Sequence, residues 1–173
     1  MGTINGWKAC EYLWISREQV IREVAPRHFL KNTSNLQPMP AGYSGTPLIK
    51  KLGIHPGMKV MLIHAPDDYF TLLGQDISGQ LVRKNNIPDL VHLFAASHTV
   101  FETAMKSLKN IWHANPTIIL WVSWYKKSAG FPTDLTEDII RNYALRNGLV
   151  DVKVCAVSEA WSGLKLVVPL AKR

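Results

Sequence analysis

Between residues 116 and 168 the pattern of apolar and polar positions reads as a buried strand, a cationic loop, a capped helix and a strand hairpin, and the rest of the chain must pack against what they form. Residues 117–124 (TIILWVSW) are a mostly apolar run of strand length, as expected for a strand buried on both faces. A basic loop follows. Asp134 and Glu137 then have the spacing of a capping box, with Pro132 just outside and Gly148 as a C-terminal stop, and Ile139, Ile140, Tyr143 and Ala144 fall on one helical face. Residues 150–157 and 164–168 read as two further strands. The connection between them, 158–163, is too short for a crossover and forces an antiparallel pair.

Upstream, DLVHLFAAS (89–97) reads as a second strand apolar on both faces. The helix after it places Val100, Phe101, Ala104, Leu108, Ile111 and Trp112 on one stripe. Further back, Pro47 suits the first position of a short helix capped by Thr46, and Gly53 suits its left-handed end. Residues 59–65 form a strand that breaks at Pro66. A short helix near 69–73 and a weak strand around 80–83 fill the interval, which is too short for a full Rossmann half. At the N-terminus, Ser16 and Gln19 form another capping box, Pro26 stops that helix, and the Asn- and Pro-rich stretch 31–40 reads as a linker. The pattern predicts an α/β fold. Residues 1–40 are a helical extension and linker, and 41–173 form a truncated, methyltransferase-like Rossmann domain with a mostly parallel sheet and a C-terminal antiparallel hairpin.

Composition narrows the picture. With 47% hydrophobic and 19% charged residues the chain is an ordinary globule. No apolar run approaches the roughly 18 residues of a membrane span, and no signal pattern opens the chain, so a cytoplasmic location is expected. Cys10 and Cys155 are too few for a disulfide framework or a metal knuckle. The net charge of +7 favours anionic partners. Its lysines and arginines nevertheless lie scattered, which weakens the case for nucleic acid. Trp7, Trp14, Val20, Ile21, Val24 and Phe29 are too apolar for water and would cover the main domain or make a homo-oligomer contact.

Four segments carry a resemblance: AGYSGTPLIKKLGIHPGMKV, DLVHLF, LWVSWYKKSAGFPTDLTEDIIR and GLVDVKVCAVSEAWSGLKLVV. In this order they resemble an uncharacterised, mostly bacterial domain-of-unknown-function family, over about residues 41–168. The resemblance implies a cytoplasmic protein with a methyltransferase-like sheet. It implies no substrate.

Ligands of open α/β sheets sit beyond the carboxyl ends of the strands, where strand order reverses. Those ends are the loops at 64–68, 96–98 and 124–127. Lys126 and Lys127 would supply positive charge there, Ser97 and His98 hydrogen bonds, and Trp124 and Tyr125 an aromatic wall, a set that suits a small anionic or nucleotide-like ligand. The loop after the first strand, His64-Ala65-Pro66-Asp67-Asp68, has no glycine, so the usual S-adenosylmethionine or dinucleotide loop is missing. Asp67 and Asp68 could still hold a ribose. Ser44, Gly45 and Thr46 precede a helix and could offer amides to an anion, or make a plain turn. Trp161 and Ser162, read as part of the loop joining the last strands, would either face the ligand or close the end of the core. Catalytic patterns are scarce. Gly42-Tyr43-Ser44-Gly45 is not a nucleophile elbow, and the six histidines show no metal spacing. His92 reads as a satisfied core histidine and Cys155 as a small buried residue. The leading expectation is a non-catalytic or degenerate methyltransferase-like binding domain. The alternatives are an S-adenosylmethionine-dependent methyltransferase with an atypical first loop, and a basic nucleic-acid or protein-interaction module.

Overall fold

A computed structural model describes residues 45–83 and 86–173. The predicted helical extension and linker, Cys10 and Ser44 lie outside the described residues. Five strands, β1 (Val60–Ile63), β2 (Leu90–Ala95), β3 (Ile119–Tyr125), β4 (Val150–Ala156) and β5 (Trp161–Val167), form one sheet in the order β1-β2-β3-β5-β4. The first three are parallel, and β5 runs antiparallel to both β3 and β4. This is the truncated, methyltransferase-like Rossmann sheet that the alternation of strands and helices predicts.

Among the described residues four α-helices cover it. α1 (Leu48–Leu52) and α2 (Tyr69–Leu73) are single turns, whereas α3 (His98–Ala114) and α4 (Glu137–Arg146) are long. Side chains of α3 and α4 share a core with Val91, Leu93, Leu120, Val122, Trp124 and Leu164. Those of α1 and α2 share a second core with Leu90, Phe94, Trp121 and Val157. The division follows from strand alternation, because neighbouring residues of β3 point to opposite faces. The α3 stripe is as predicted, with Phe101, Ala104, Leu108 and Trp112 buried and Val100 and Ile111 partly so.

Four local readings need correction. Thr136, not Asp134, caps α4: its hydroxyl accepts from the Ile139 amide at 3.4 Å, while the Asp134 carboxylate accepts from the His98 amide at 2.7 Å. Pro47, not Thr46, is the residue before α1, and no side chain caps that helix. Trp161 and Ser162 are not in a loop, since β5 begins at Trp161 and pairs it with Tyr125. The weak strand near 80–83 shrinks to one rung, a parallel bridge between Leu81 and Val60. β1 therefore has Leu81 on one side and β2 on the other. The chain leaves β1 in one direction and returns in the other, which makes the end of β1 the topological switch point.

Candidate functional site at the carboxyl end of the sheet

At the switch point the chain turns at His64, a non-glycine residue with φ of 52°. The left-handed turn expected of a glycine is thus made without one, but a Cβ and an imidazole remain where a cofactor loop needs bare backbone. Asp67 and Asp68 follow, both exposed, and Asp68 makes no side-chain cap to α2.

The end of β3 is more organised. Tyr125 stacks on Trp161 with ring centroids 3.9 Å apart, and on its other side stacks on Phe131 at 4.7 Å. Trp161 in turn meets the edge of the buried Phe94 at 5.1 Å. The result is an aromatic column rising from the core to Phe131, which is 52% exposed. Burial within the column pushes the Tyr125 phenol up.

Lys126 is fixed beside it. Its amide donates to the Ala160 carbonyl at 2.8 Å and its ammonium to the Ser158 carbonyl at 2.7 Å. An ammonium has three donors, so two remain. The turn that receives it is itself held, since the Ser158 hydroxyl accepts from the amides of Ala160 and Trp161 at 3.2 and 3.1 Å. Lys127 is exposed and opens a short 3-10 turn ending at Gly130, whose φ is 72°.

The predicted residues do not all converge. Tyr125, Lys126, Lys127 and Trp161 come together. Trp124 is only 8% exposed and lies in the α3/α4 core, so it is no part of an aromatic wall. Ser162 follows Trp161 in the strand and points to the opposite face. Ser97 caps α3, its hydroxyl accepting from the Val100 amide at 3.3 Å, and the His98 ring lies 3.6 Å from Glu102. Gly45 and Thr46 are exposed ahead of α1, a helix too short to present an anion site. Phe131 and Ser158 were missed. An aromatic residue next to Gly130 and Pro132 in a basic loop was the available signal for Phe131; the carbonyl role of Ser158 leaves no trace in sequence.

Beneath the column lies a polar relay. His92, 0% exposed, has its Nδ1 3.1 Å from the Tyr69 hydroxyl and its Nε2 2.8 Å from the Ser123 hydroxyl. Burial drives the imidazole down to about 3 and the Tyr69 phenol well up. The three residues resemble a nucleophile–base arrangement, but all are buried and no substrate reaches Ser123. His92 is the satisfied core histidine that its place in an apolar strand suggests. Cys155 is half-buried, and burial raises its thiol against the opposing pull of Lys153 and Lys51.

Among the described residues no His, Cys, Asp and Glu side chains group as metal ligands, and no helix is long and apolar enough to cross a membrane.

No protein-family model matches the chain, and no curated protein does. Solved structures similar to it include an uncharacterized protein from Listeria monocytogenes serotype 4b, at 9% identity over 71% of this chain and 67% of its own, with a TM-score of 0.47. Another is a protein in the NADB-Rossmann superfamily from Streptococcus agalactiae, at 9% identity over 74% and 70%, with a TM-score of 0.44. A third is the M1A22 tRNA methyltransferase TrmK of B. subtilis, at 12% identity over 70% and 65%, with a TM-score of 0.46. At such distances no residue role passes from them to this chain.

Proposed function

We propose that this chain is a methyltransferase-like domain that binds a small anionic or nucleotide-like ligand at the carboxyl end of its sheet and has no group-transfer activity of its own. The observation that carries the reading is the stacked column Trp161–Tyr125–Phe131, ending in a half-exposed ring beside Lys126 and Lys127. A flat base can extend the stack at Phe131, and the two ammonium groups meet phosphate. Lys126 is already oriented by Ser158, so little side-chain entropy is lost when an anion arrives. Calorimetric titration with nucleoside mono- and triphosphates tests this. Micromolar binding is expected, weakened about tenfold by Lys127→Ala, which corresponds to about 1.4 kcal/mol. Absence of binding to any nucleotide at millimolar concentration removes the proposal.

One observation favours a second reading, an S-adenosylmethionine-dependent methyltransferase: His64 does adopt the left-handed turn at the switch point. Asp67 or Asp68 would then hold the ribose. Titration with S-adenosylhomocysteine separates the two readings. Binding that survives Phe131→Ala but is lost in Asp68→Ala would favour the methyltransferase.

A further inference from the structure

The α1/α2 face of the sheet continues past its helices onto β5 and β4, and there it carries cations. Lys153 and Lys165 are direct partners in the β4–β5 register and so project from the same face. The Lys153 ammonium reaches 3.4 Å from the Lys51 carbonyl, which brings it to the last turn of α1, where Lys50 also lies. Arg173 is held at the foot of β5 by a bond from its guanidinium to the Val168 carbonyl at 3.0 Å. Lys165 is pushed below its ordinary value by burial and by the charges of Lys153 and Arg173.

No carboxylate among the described residues forms an ion pair with Lys153, Lys165 or Arg173. Glu102, Glu137, Asp138 and Asp151 all pair with cations or a histidine on α3 or α4. Like charges gathered without a counter-charge destabilise the fold, and an anionic partner relieves that cost. The same face of the same strand carries Trp161 four residues from Lys165, about 13 Å away. A lone phosphate can meet only the lysine pair. A chain that repeats both phosphates and flat bases meets the cation row and the aromatic column together.

We propose that this cationic row and the aromatic column form one track for single-stranded nucleic acid. The inference rests on the nucleotide reading only at its base-stacking end; the row is independent of it. The combination of a basic strip with stacking rings is the one by which proteins hold unpaired strands.

The test uses the full chain and fluorescence anisotropy with a labelled single strand of about 12 nucleotides, within the span that single-strand sites commonly occupy. Its duplex and inorganic phosphate serve as competitors. Three phosphate contacts predict a log–log salt slope of about −2. Lys153→Glu, at an exposed position, should weaken strand binding at least tenfold and flatten the slope, while leaving mononucleotide titrations unchanged. Phe131→Ala should weaken both. The inference is overturned if Lys153→Glu binds the strand like the parent, if no strand binds at low salt, or if duplex or phosphate competes as well as the strand. Loss of mononucleotide binding with Lys153-dependent strand binding retained would uphold it and remove the small-ligand reading instead.

Discussion

The two faces of the sheet are built by different means. On one face α3 and α4 lay 17 and 10 residues of helix over a core that is almost entirely apolar. On the other, α1 and α2 have five residues each, too few to hold a helix in water by themselves. Each of these short helices is tied to the sheet by a buried hydrogen bond. The Trp121 indole donates to the carbonyl of Leu52 in α1 at 2.9 Å, and Tyr69 of α2 bonds His92 in β2. Where area is large, burial suffices to place a helix; where it is small, direction must come from polar groups. Charges divide as well. Arg141 on the thick face is shared among Glu137, Asp138 and Asp151, whereas among the described residues no carboxylate forms an ion pair with Lys153 or Lys165 on the thin face.

Acid offers the largest test of this contrast. The fold holds His92 neutral, near 3 against 6.5 for the free side chain, so the unfolded chain takes up the proton first. The contribution is complete above about pH 6.5 and drains as pH falls toward 3, at roughly 1.4 kcal/mol per unit, or about 3 kcal/mol by pH 4. Urea unfolding across this range should show that slope, and His92→Gln should flatten it. A His92→Gln chain that keeps the slope would mean that acid acts elsewhere.

Matched tryptophans isolate the hydrogen bond. Trp121 and Trp112 are both buried, one on each face, but the Trp112 indole nitrogen has no partner among the described residues. Trp121→Phe orphans the Leu52 carbonyl, while Trp112→Phe removes a donor that was already unsatisfied. The first should cost about 1–3 kcal/mol more than the second in chemical denaturation. Equal costs would erase the distinction between the faces.

Gly163 probes how tightly the thin face is closed. A Cβ there would stand 2.9 Å from Val157 Cγ2 and 3.3 Å from the Ser123 hydroxyl of the relay. Gly163→Ala should therefore lower stability by about 1–2 kcal/mol, as overpacking usually does. The smallest effect belongs to Arg141→Met on the thick face. Its ion pairs are partly solvated, and the midpoint of thermal unfolding should barely move.

Residues that act through their own burial were legible in the sequence. The runs that became β2 and β3 and the stripe of α3 announced themselves by hydrophobic period. Contacts between distant residues were not. Tyr69, His92 and Ser123 are separated by 23 and 31 residues, and nothing local in the chain pairs them. Asp134 and Thr136 are both good caps by type; only the approach of the His98 amide decides that Asp134 serves α3 instead. Trp161 looked like a loop residue because Ser158–Glu159–Ala160 is polar and small, yet its pairing with Tyr125 extends the strand. Of the proposed site, the lysines could be read directly, whereas the column became visible only once Phe131 and Trp161 were seen on either side of Tyr125.

The position of β5 has a consequence for synthesis. It is made after β3 and β4 yet lies between them, and among the described residues β4 has no other neighbour in the sheet. Until residues 161–167 leave the ribosome, β4 has nothing to pair with and the apolar β3 is left with a bare edge. From residue 125 to 167 is 42 residues, and at about 5–20 residues per second the gap lasts a few seconds. Each nascent chain spends that interval with a hydrophobic strand open to its neighbours on the polysome, and a chain released early would never close it.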